Sequence, residues 1–348
     1  MKIAIGTNIK DGPWGGGNAF AKYLSEFLIQ QGYEVFSDLK EKNLDIIMLT
    51  EPRRTSETSS FNHLDIKNYI NYVNKDVIVF HRINECDERK NTDYLNKFII
   101  DSNRCADITI FVSSWLKNLY IDQGINSPES CVIKAGADHK IFNKSNFKKW
   151  DGKEKFRLIT HHWGTHENKG FKIYEYLDSI IKTSYWKEKI DFVYVGNLPK
   201  KYNLKNTDLI KPKSGKELSS VLKNSHGYIT GSLFEPSGNH HIEAAQCGLP
   251  IMYIDSGGTT EYCRDFGIEY DINNLEEQIK HLLSEYEKYN NIMTTYDFTP
   301  NKMCQDYLDL FIKSLSRKDE IFSKRRSMKT SHLKKFKYEF TKKVQFLF

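Results

Sequence analysis

Two glutamates bracket a short turn whose composition is typical of an anion-binding site. The segment reads Glu235-Pro-Ser-Gly-Asn-His-His-Ile-Glu243 and follows a strand-like run at 228–230. A helical pattern begins near Asn239, and the first backbone N–H groups of a helix lack carbonyl partners and attract anions such as a diphosphate. The N–H groups concerned belong to Gly238, Asn239 and His240.

The two carboxylates narrow the class of ligand. A carboxylate beside a phosphate repels it, so its useful role is to accept hydrogen bonds from hydroxyl groups. A nucleoside diphosphate sugar carries hydroxyls on both sides of its diphosphate. The spacing of Glu235 and Glu243 therefore favours a nucleotide sugar over phosphate in general. The alternative is a solvated turn with an acidic residue near a helix start.

A second polar segment, His161-His-Trp-Gly-Thr-His-Glu-Asn-Lys-Gly170, follows another strand-like run and opens a helix. Expelling a diphosphate without a metal requires preorganised positive charge, and Lys169 is the candidate for that role, with an exposed helix-start lysine as the alternative. Trp163 and Asn197 are further candidates for donor contact.

Clustered histidines also suggest a metal site. They do not form the H-E-x-x-H pattern of a zinc protease, and no D-x-D occurs in the chain. We therefore expect donor binding without a metal or other cofactor. The histidines concerned are His161, His162, His166, His240 and His241.

The N-terminal part offers a glycine-rich loop and a polar strand end. The loop is neither G-x-G-x-x-G nor a P-loop, but its glycines allow a ligand to approach the backbone closely. His81 and Arg82 end an apolar run, where a polar residue either caps the next segment or contacts a sugar. The glycines assigned to the donor site are Gly15, Gly16 and Gly17.

Alternating strand-like and helical segments predict the architecture. Short apolar runs separated by helical patterns are typical of buried parallel strands in doubly wound α/β domains. We expect domains at 1–148 and 149–298, joined by the polar stretch 143–155, a helix at 299–316, and a ligand at the carboxyl ends of the strands. Asn18 and Ser113 are expected helix caps. The predicted strands are 2–5, 45–49, 77–80, 108–112, 156–160, 192–195, 227–230 and 251–254.

Composition limits the location and partners. The six cysteines are scattered and the first residues lack the apolar stretch of a secretory signal, so a cytoplasmic protein is expected. Residues 317–343 hold 11 basic and three acidic residues, a net charge of +8 that leaves −2 for the rest of a chain whose total is +6. This argues against nucleic-acid binding by the body. The tail at 317–348 has a basic amphipathic pattern, which fits either an anionic membrane surface or packing on the body.

The Glu235–Glu243 segment resembles the E-x7-E signature of family-4 retaining glycosyltransferases. Gly238, Gly248 and Pro250 also match, while Ser237 stands where the family has phenylalanine. The resemblance implies a GT-B fold, two Rossmann-like domains facing across a cleft. It further implies that Glu235 contacts hydroxyls of the donor sugar and Glu243 the ribose.

The same resemblance extends to the Lys169 segment and the glycine-rich loop. The family's Gly-Arg-Leu…Lys-Gly element, whose two cations neutralise the leaving diphosphate, matches at Lys169 and Gly170 but has Gly164 at the arginine position. One cation is therefore missing, and His161, His162, Arg82 or the helix start could supply it. Gly257, Gly258 and Glu261 resemble a later family turn, in which Glu261 is more often structural.

The resemblance implies a retaining hexosyltransferase that moves a sugar from a nucleoside diphosphate sugar to a glycan or lipid-linked acceptor. Surface polysaccharide or glycolipid synthesis is the expected setting, in the cytoplasm or at the inner face of the membrane. Two alternatives stay open. One is a nucleotide-sugar epimerase with the same fold, and the other is a non-catalytic sugar-nucleotide-binding protein recruited to membranes by its tail.

Overall fold

A computed structural model describes residues 1–12 and 15–326. Two six-stranded sheets, all parallel, form two α/β halves, which confirms the predicted fold class. The first sheet has the order β2-β1-β3-β4-β5-β6. Its strands are β1 Lys2–Ile5, β2 Glu34–Phe36, β3 Ile46–Leu49, β4 Ile78–Ile83, β5 Ile108–Phe111 and β6 Glu129–Val132. Its helices are α1 Gly16–Gln30, α2 His63–Tyr72, α3 Asp87–Lys90, α4 Leu95–Ser102 and α5 Ser114–Asp122.

The second half repeats the plan with the order β12-β11-β10-β7-β8-β9. Its strands are β7 Phe156–His162, β8 Ile190–Gly196, β9 Asp208–Ile210, β10 Gly227–Thr230, β11 Ile251–Tyr253 and β12 Gly267–Glu269. Its helices are α6 Phe171–Ile180, α7 Gly215–Lys223, α8 Asn239–Gln246, α9 Thr259–Cys263, α10 Leu275–Ser284 and α11 Tyr286–Ile292. Single 3-10 turns lie at Asn103–Cys105, Glu167–Lys169 and Met293–Thr295.

The last long helix, α12 Pro300–Leu315, crosses back to the N-terminal domain. Its buried face packs on α1 and the sheet, where the rings of Tyr307 and Phe20 lie 5.1 Å apart and those of Phe311 and Phe80 lie 4.9 Å apart. Burying these aromatic rings stabilises each of them by about 1.5–3 kcal/mol. The chain therefore passes through the N-terminal domain twice.

Direct contacts hold the two domains against each other. The Glu261 carboxylate, in α9, accepts hydrogen bonds from the backbone N–H groups of Ser114 (2.9 Å) and Trp115 (2.7 Å) at the start of α5. The neighbouring Tyr262 hydroxyl donates to the carbonyl of Val112 at 2.7 Å. Since the carboxylate meets the positive end of α5, Glu261 acts as a helix cap supplied by the opposite domain.

The basic segment expected at 317–348 begins on the body of the protein. After α13, Lys318–Lys324, the Arg325 guanidinium binds the buried Asp107 carboxylate through two hydrogen bonds of 2.7 Å. Arg317 pairs with Glu129. The first ten residues of that segment are thus attached to the N-terminal domain, and the amphipathic pattern at 327–348 lies outside the described residues. Within the described ranges, no helix is both long and apolar enough to span a membrane.

Candidate functional site

The predicted helix start at Asn239 is confirmed. Gly238 has a left-handed backbone (φ +76°), and a Cβ there would lie 2.4 Å from Cε1 of His241. Both facts restrict this position to glycine. No side chain caps the start of α8, so its first N–H groups are available to a ligand.

Glu235 lies at the centre of a three-residue charge cluster that spans the two domains. Its carboxylate is buried and accepts hydrogen bonds from the buried Lys169 ammonium on one oxygen and from Arg89 Nε, at 3.0 Å, on the other. Lys169 and Glu235 belong to the C-terminal domain, whereas Arg89 belongs to α3 of the N-terminal domain. The fold thus brings into contact Lys169 and Glu235, two residues that the sequence analysis predicted for the site.

Arg89 was not among the predicted site residues. Its Nη1 also donates to Glu85 at 2.8 and 3.1 Å. The Asn168 amide, next to Lys169, donates to the carbonyls of Glu88 (2.8 Å) and Arg89 (3.2 Å). These bonds fix α3 against the Lys169 segment. The only sequence signal was a polar run directly after an apolar strand, which does not single out one residue.

Gly164, the position of the missing arginine, lies beside this cluster. A Cβ at Gly164 would stand 3.6 Å from Cε of Lys169 and 3.2 Å from Cδ2 of His166. An arginine there would therefore start next to Lys169. Arg89 brings a guanidinium to the same region from the facing domain.

Charge and burial set the protonation of the cluster. Burial opposes the charge on Glu235, but Lys169 and Arg89 outweigh it and hold the pKa of Glu235 well below its usual range. Burial lowers the pKa of Lys169, an effect that Glu235 opposes and Arg89 reinforces. Burial also acts against the charge on Arg89, yet Glu235 and Glu85 raise its pKa. We conclude that Glu235 is ionised and can only accept hydrogen bonds.

Glu243 has a different environment. Its carboxylate is partly exposed and lies 3.0 Å from Nε2 of the buried His161. From the N-terminal domain, Tyr23 faces the same region, and burial together with Asp138 and Glu243 raises its pKa. Thus the His161 imidazole orients Glu243, whose side chain remains 23% exposed.

The other histidines do not supply the missing charge. His162 Nε2 lies 2.6 Å from the Tyr174 hydroxyl, and His240 Nε2 lies 3.0 Å from the Thr230 hydroxyl. Burial holds the pKa of both imidazoles well below the usual value, so they are neutral near pH 7. In the described part of the chain, no three His, Cys, Asp or Glu side chains are arranged to hold a metal ion.

The glycine-rich loop lies against α8. A Cβ at Gly16 would come within 2.9 Å of Asn239 Nδ2, whereas the Cβ positions of Gly15 and Gly17 have more room. Gly16 therefore permits a close approach of this loop to the start of α8. On the C-terminal side, the Asn197 amide donates to the carbonyl of Trp163 at 3.0 Å, and Trp163 is 46% exposed. This bond ties together the loops after β7 and β8.

His81 and Arg82, predicted as a pair, point to opposite faces of β4. The buried His81 imidazole lies 3.1 Å from the Asn103 amide, and burial lowers its pKa to about 3. The Arg82 guanidinium instead lies 4.0 Å above the Phe20 ring on the α1 side. Adjacent strand residues alternate between the two faces of a sheet, so these two side chains cannot contact the same sugar.

Comparisons with known proteins give one match to a family model and many matches to solved folds. The family model described as glycosyl transferases group 1 matches residues 182–295. That stretch contains Glu235 and Glu243 and begins after Lys169. No curated protein matches the sequence of the whole chain.

Similar solved structures cover almost the full length. HepE of Anabaena, in complex with UDP and glucose, is 13% identical with a TM-score of 0.67, over 90% of this chain and 100% of that chain. Sucrose-phosphate synthase of Thermosynechococcus elongatus is 14% identical with a TM-score of 0.63, over 91% and 99%. A glycosyltransferase of Rickettsia africae is 15% identical with a TM-score of 0.63, over 90% and 98%. Residues 182–295 therefore resemble the group 1 glycosyltransferases, and the chain as a whole has the two-domain GT-B fold of these structures.

Proposed function

We propose that this protein transfers a sugar from a nucleoside diphosphate sugar to a glycan or lipid-linked acceptor, with retention of configuration and without a metal. The observation that carries the proposal is the Lys169–Glu235–Arg89 cluster beside the uncapped start of α8. The match of residues 182–295 to the family model of group 1 glycosyl transferases supports it. The HepE complexes with UDP-glucose and with UDP and glucose support a nucleotide-sugar donor.

In this proposal Glu235 binds the sugar and the cations bind the leaving group. An ionised carboxylate is only an acceptor, and sugar hydroxyls are good donors, so Glu235 orients the transferred sugar. As the bond between the anomeric carbon and the diphosphate oxygen breaks, negative charge grows on the diphosphate. Lys169, Arg89 and the α8 N–H groups stabilise that charge.

The remaining steps need no side-chain nucleophile. The oxygen of an acceptor hydroxyl forms the new bond to the anomeric carbon, and its proton passes to the departing diphosphate. Retention requires that the acceptor attack from the face that the leaving group vacates. The protein's contribution is to hold both substrates in that geometry, and Glu243 with His161 is suited to bind the ribose hydroxyls.

The test is an assay of radiolabelled nucleotide sugars with and without a membrane extract. Transferred label is expected for the wild type. Converted donor without transfer would indicate the epimerase, and unchanged donor that still binds would indicate the non-catalytic protein. Deleting residues 327–348 in the same assay tests the proposed recruitment to anionic membranes, because only transfer to the membrane-borne acceptor should fall.

Variants of the cluster sharpen this test. E235Q and K169M are each expected to lower kcat about 100- to 1000-fold, the usual cost of one preorganised electrostatic contact. K172M is the matched control, since Lys172 is exposed on α6 close to Lys169 and should leave kcat unchanged. Thermal melts confirm that the variants fold. Full activity in either cluster variant would refute the site.

A further inference from the structure

We infer that Arg82 binds a phosphate group of the donor in a pocket between the two domains. This assignment rests on the proposed function and adds a residue to it. Arg82 is the second-last residue of β4 and is 4% exposed. In the described part of the chain it forms no salt bridge, and its Nε has no hydrogen-bond partner.

An unpaired buried cation is unusual on energetic grounds. A charged group removed from water needs an opposite charge or several hydrogen bonds to offset its lost hydration. Two other arginine side chains, although less buried, have such partners, since Arg89 pairs with Glu235 and Arg325 pairs with Asp107. Arg82 contacts the Phe20 ring and the Tyr307 hydroxyl, two neutral partners that stabilise a cation only modestly. Arg82 therefore has the charge and the free donor that an anion requires.

The surroundings of Arg82 are those of a phosphate site. Arg82 lines a pocket whose opposite wall is the start of α8, an eight-residue helix without a side-chain cap. The helix start and the guanidinium are two independent attractions for one anion. The pocket-lining residues that matter here are Gly16, Tyr23 and Asn84 from the N-terminal domain, and Ser237 and Asn239 from the C-terminal domain.

The position of the pocket identifies the phosphate as the donor's. Ser237 and Asn239 lie between Glu235 and Glu243, the two carboxylates that would bind the transferred sugar and the ribose. A diphosphate links these two parts of a nucleotide sugar. The close approach of Gly16 to Asn239 brings the N-terminal domain to the same place, so Arg82 reaches the diphosphate only when both domains face it.

Calorimetric titration of the full chain with UDP, UMP and uridine tests the assignment, with the ADP and GDP series run in parallel. R82M keeps most of the side-chain stem and removes the charge. We expect it to weaken diphosphate binding about 10- to 100-fold, the range for a charge-assisted hydrogen bond, and to leave nucleoside binding unchanged. R53M is the control, because Arg53 lies at a neighbouring strand end but is paired with Glu51 at 2.6 and 2.8 Å.

Each outcome has a defined meaning. A folded R82M with an unchanged ratio of diphosphate to nucleoside affinity overturns the assignment, as does a rise in KM confined to a phosphate-bearing acceptor. If R82M does not fold, R82K replaces it: a several-fold loss of diphosphate affinity alone supports the assignment, and no loss overturns it. A wild type that binds none of the nucleoside diphosphates overturns the proposed function itself.

Discussion

Each domain contributes one wall of the cleft, and the two walls differ in how their site residues are arranged. The C-terminal wall holds Glu235, Glu243 and the α8 start in one continuous segment, with Lys169 close by. The N-terminal wall contributes isolated residues, Arg82 and Arg89, from the end of β4 and from α3. The family match covers only the C-terminal domain, whereas similar folds cover both. A sequence motif can therefore identify only the half of the candidate site that lies in the C-terminal domain.

The difference also concerns charge. The C-terminal wall has one cation in the cluster, Lys169, and the nearby His162 and His240 are neutral because burial lowers the pKa of both imidazoles. The N-terminal wall brings the guanidinium of Arg89 onto Glu235. Stabilisation of a leaving diphosphate would thus depend on the two domains together, and the following predictions test that dependence.

The largest effect is expected from moving the cation from one wall to the other. R89Q removes the N-terminal guanidinium and should lower kcat about 100-fold, because one electrostatic contact to the leaving group is lost. Adding G164R places a guanidinium beside Lys169 on the C-terminal wall, since a Cβ at Gly164 would lie 3.6 Å from Cε of Lys169. The double variant should recover at least part of kcat, measured at saturating donor.

Lys90 provides the control for moving the guanidinium from one wall to the other. It lies next to Arg89 and only 3.6 Å from Glu85, but it forms no ion pair with Glu235. K90M should therefore retain kcat within about twofold, since exposed ion pairs contribute little. An R89Q variant as active as wild type would show that the N-terminal wall does not take part in charge stabilisation.

The histidines on the C-terminal wall predict a loss of stability in mild acid. The folded-state pKa of His241 is lowered to about 3 and that of His166 to about 4, in both cases mainly by burial. Because the unfolded chain binds these protons near pH 6.5 and the folded chain does not, stability is complete above about pH 6.5 and falls as the pH drops towards 4. Glu235 cannot cause this loss, since its pKa is lowered well beyond that window.

H241F isolates one share of the effect. In urea titrations, the free energy of unfolding of the wild type should be lower at pH 5 than at pH 7. In H241F this decrease should be smaller by about 2 kcal/mol, because one such group contributes about 1.4 kcal/mol per pH unit. His281 is exposed on α10, so H281Q should keep the wild-type difference. Equal pH dependence in H241F and wild type would contradict the prediction.

Sequence patterns predicted the interior of each sheet but not its edges. The eight apolar runs lie in central strands, while the four strands that were not predicted, β2, β6, β9 and β12, are the sheet edges. These strands are three or four residues long and partly exposed. They lack the continuous apolar run that burial on both faces imposes, so composition gives no signal for them.

Helix caps show a similar limit. Ser113 caps α5 as predicted, accepting a hydrogen bond from the Leu116 N–H at 3.2 Å. Asn18 was wrongly predicted as a cap: α1 begins earlier, at Gly16, and the Asn18 side chain bonds the backbone of Lys10 at 2.8 and 2.9 Å. A local pattern identifies a cap only when the side chain has no better distant partner. Arg89 escaped assignment for the same reason, because its contact with Glu235 depends on the opposite domain.

The smallest effect is expected at the hydrogen bonds between Glu261 and the start of α5, which join the two domains. The Glu261 carboxylate receives the N–H groups of Ser114 and Trp115, and E261Q keeps one acceptor oxygen but loses the charge that favours the positive end of α5. The loss should be about 1 kcal/mol. If the site needs both domains, this loss should appear as an increase of about three- to tenfold in the donor KM.

Glu269 supplies the comparison, since it is exposed on edge strand β12 of the same domain. E269Q should leave the donor KM unchanged, and both variants should keep the melting temperature within a few degrees of wild type. An unchanged KM in E261Q would mean that the domains align without this cap. In that case the dependence on the N-terminal wall would have to come from Arg82 and Arg89 alone, because they, unlike Glu261, would contact the donor directly.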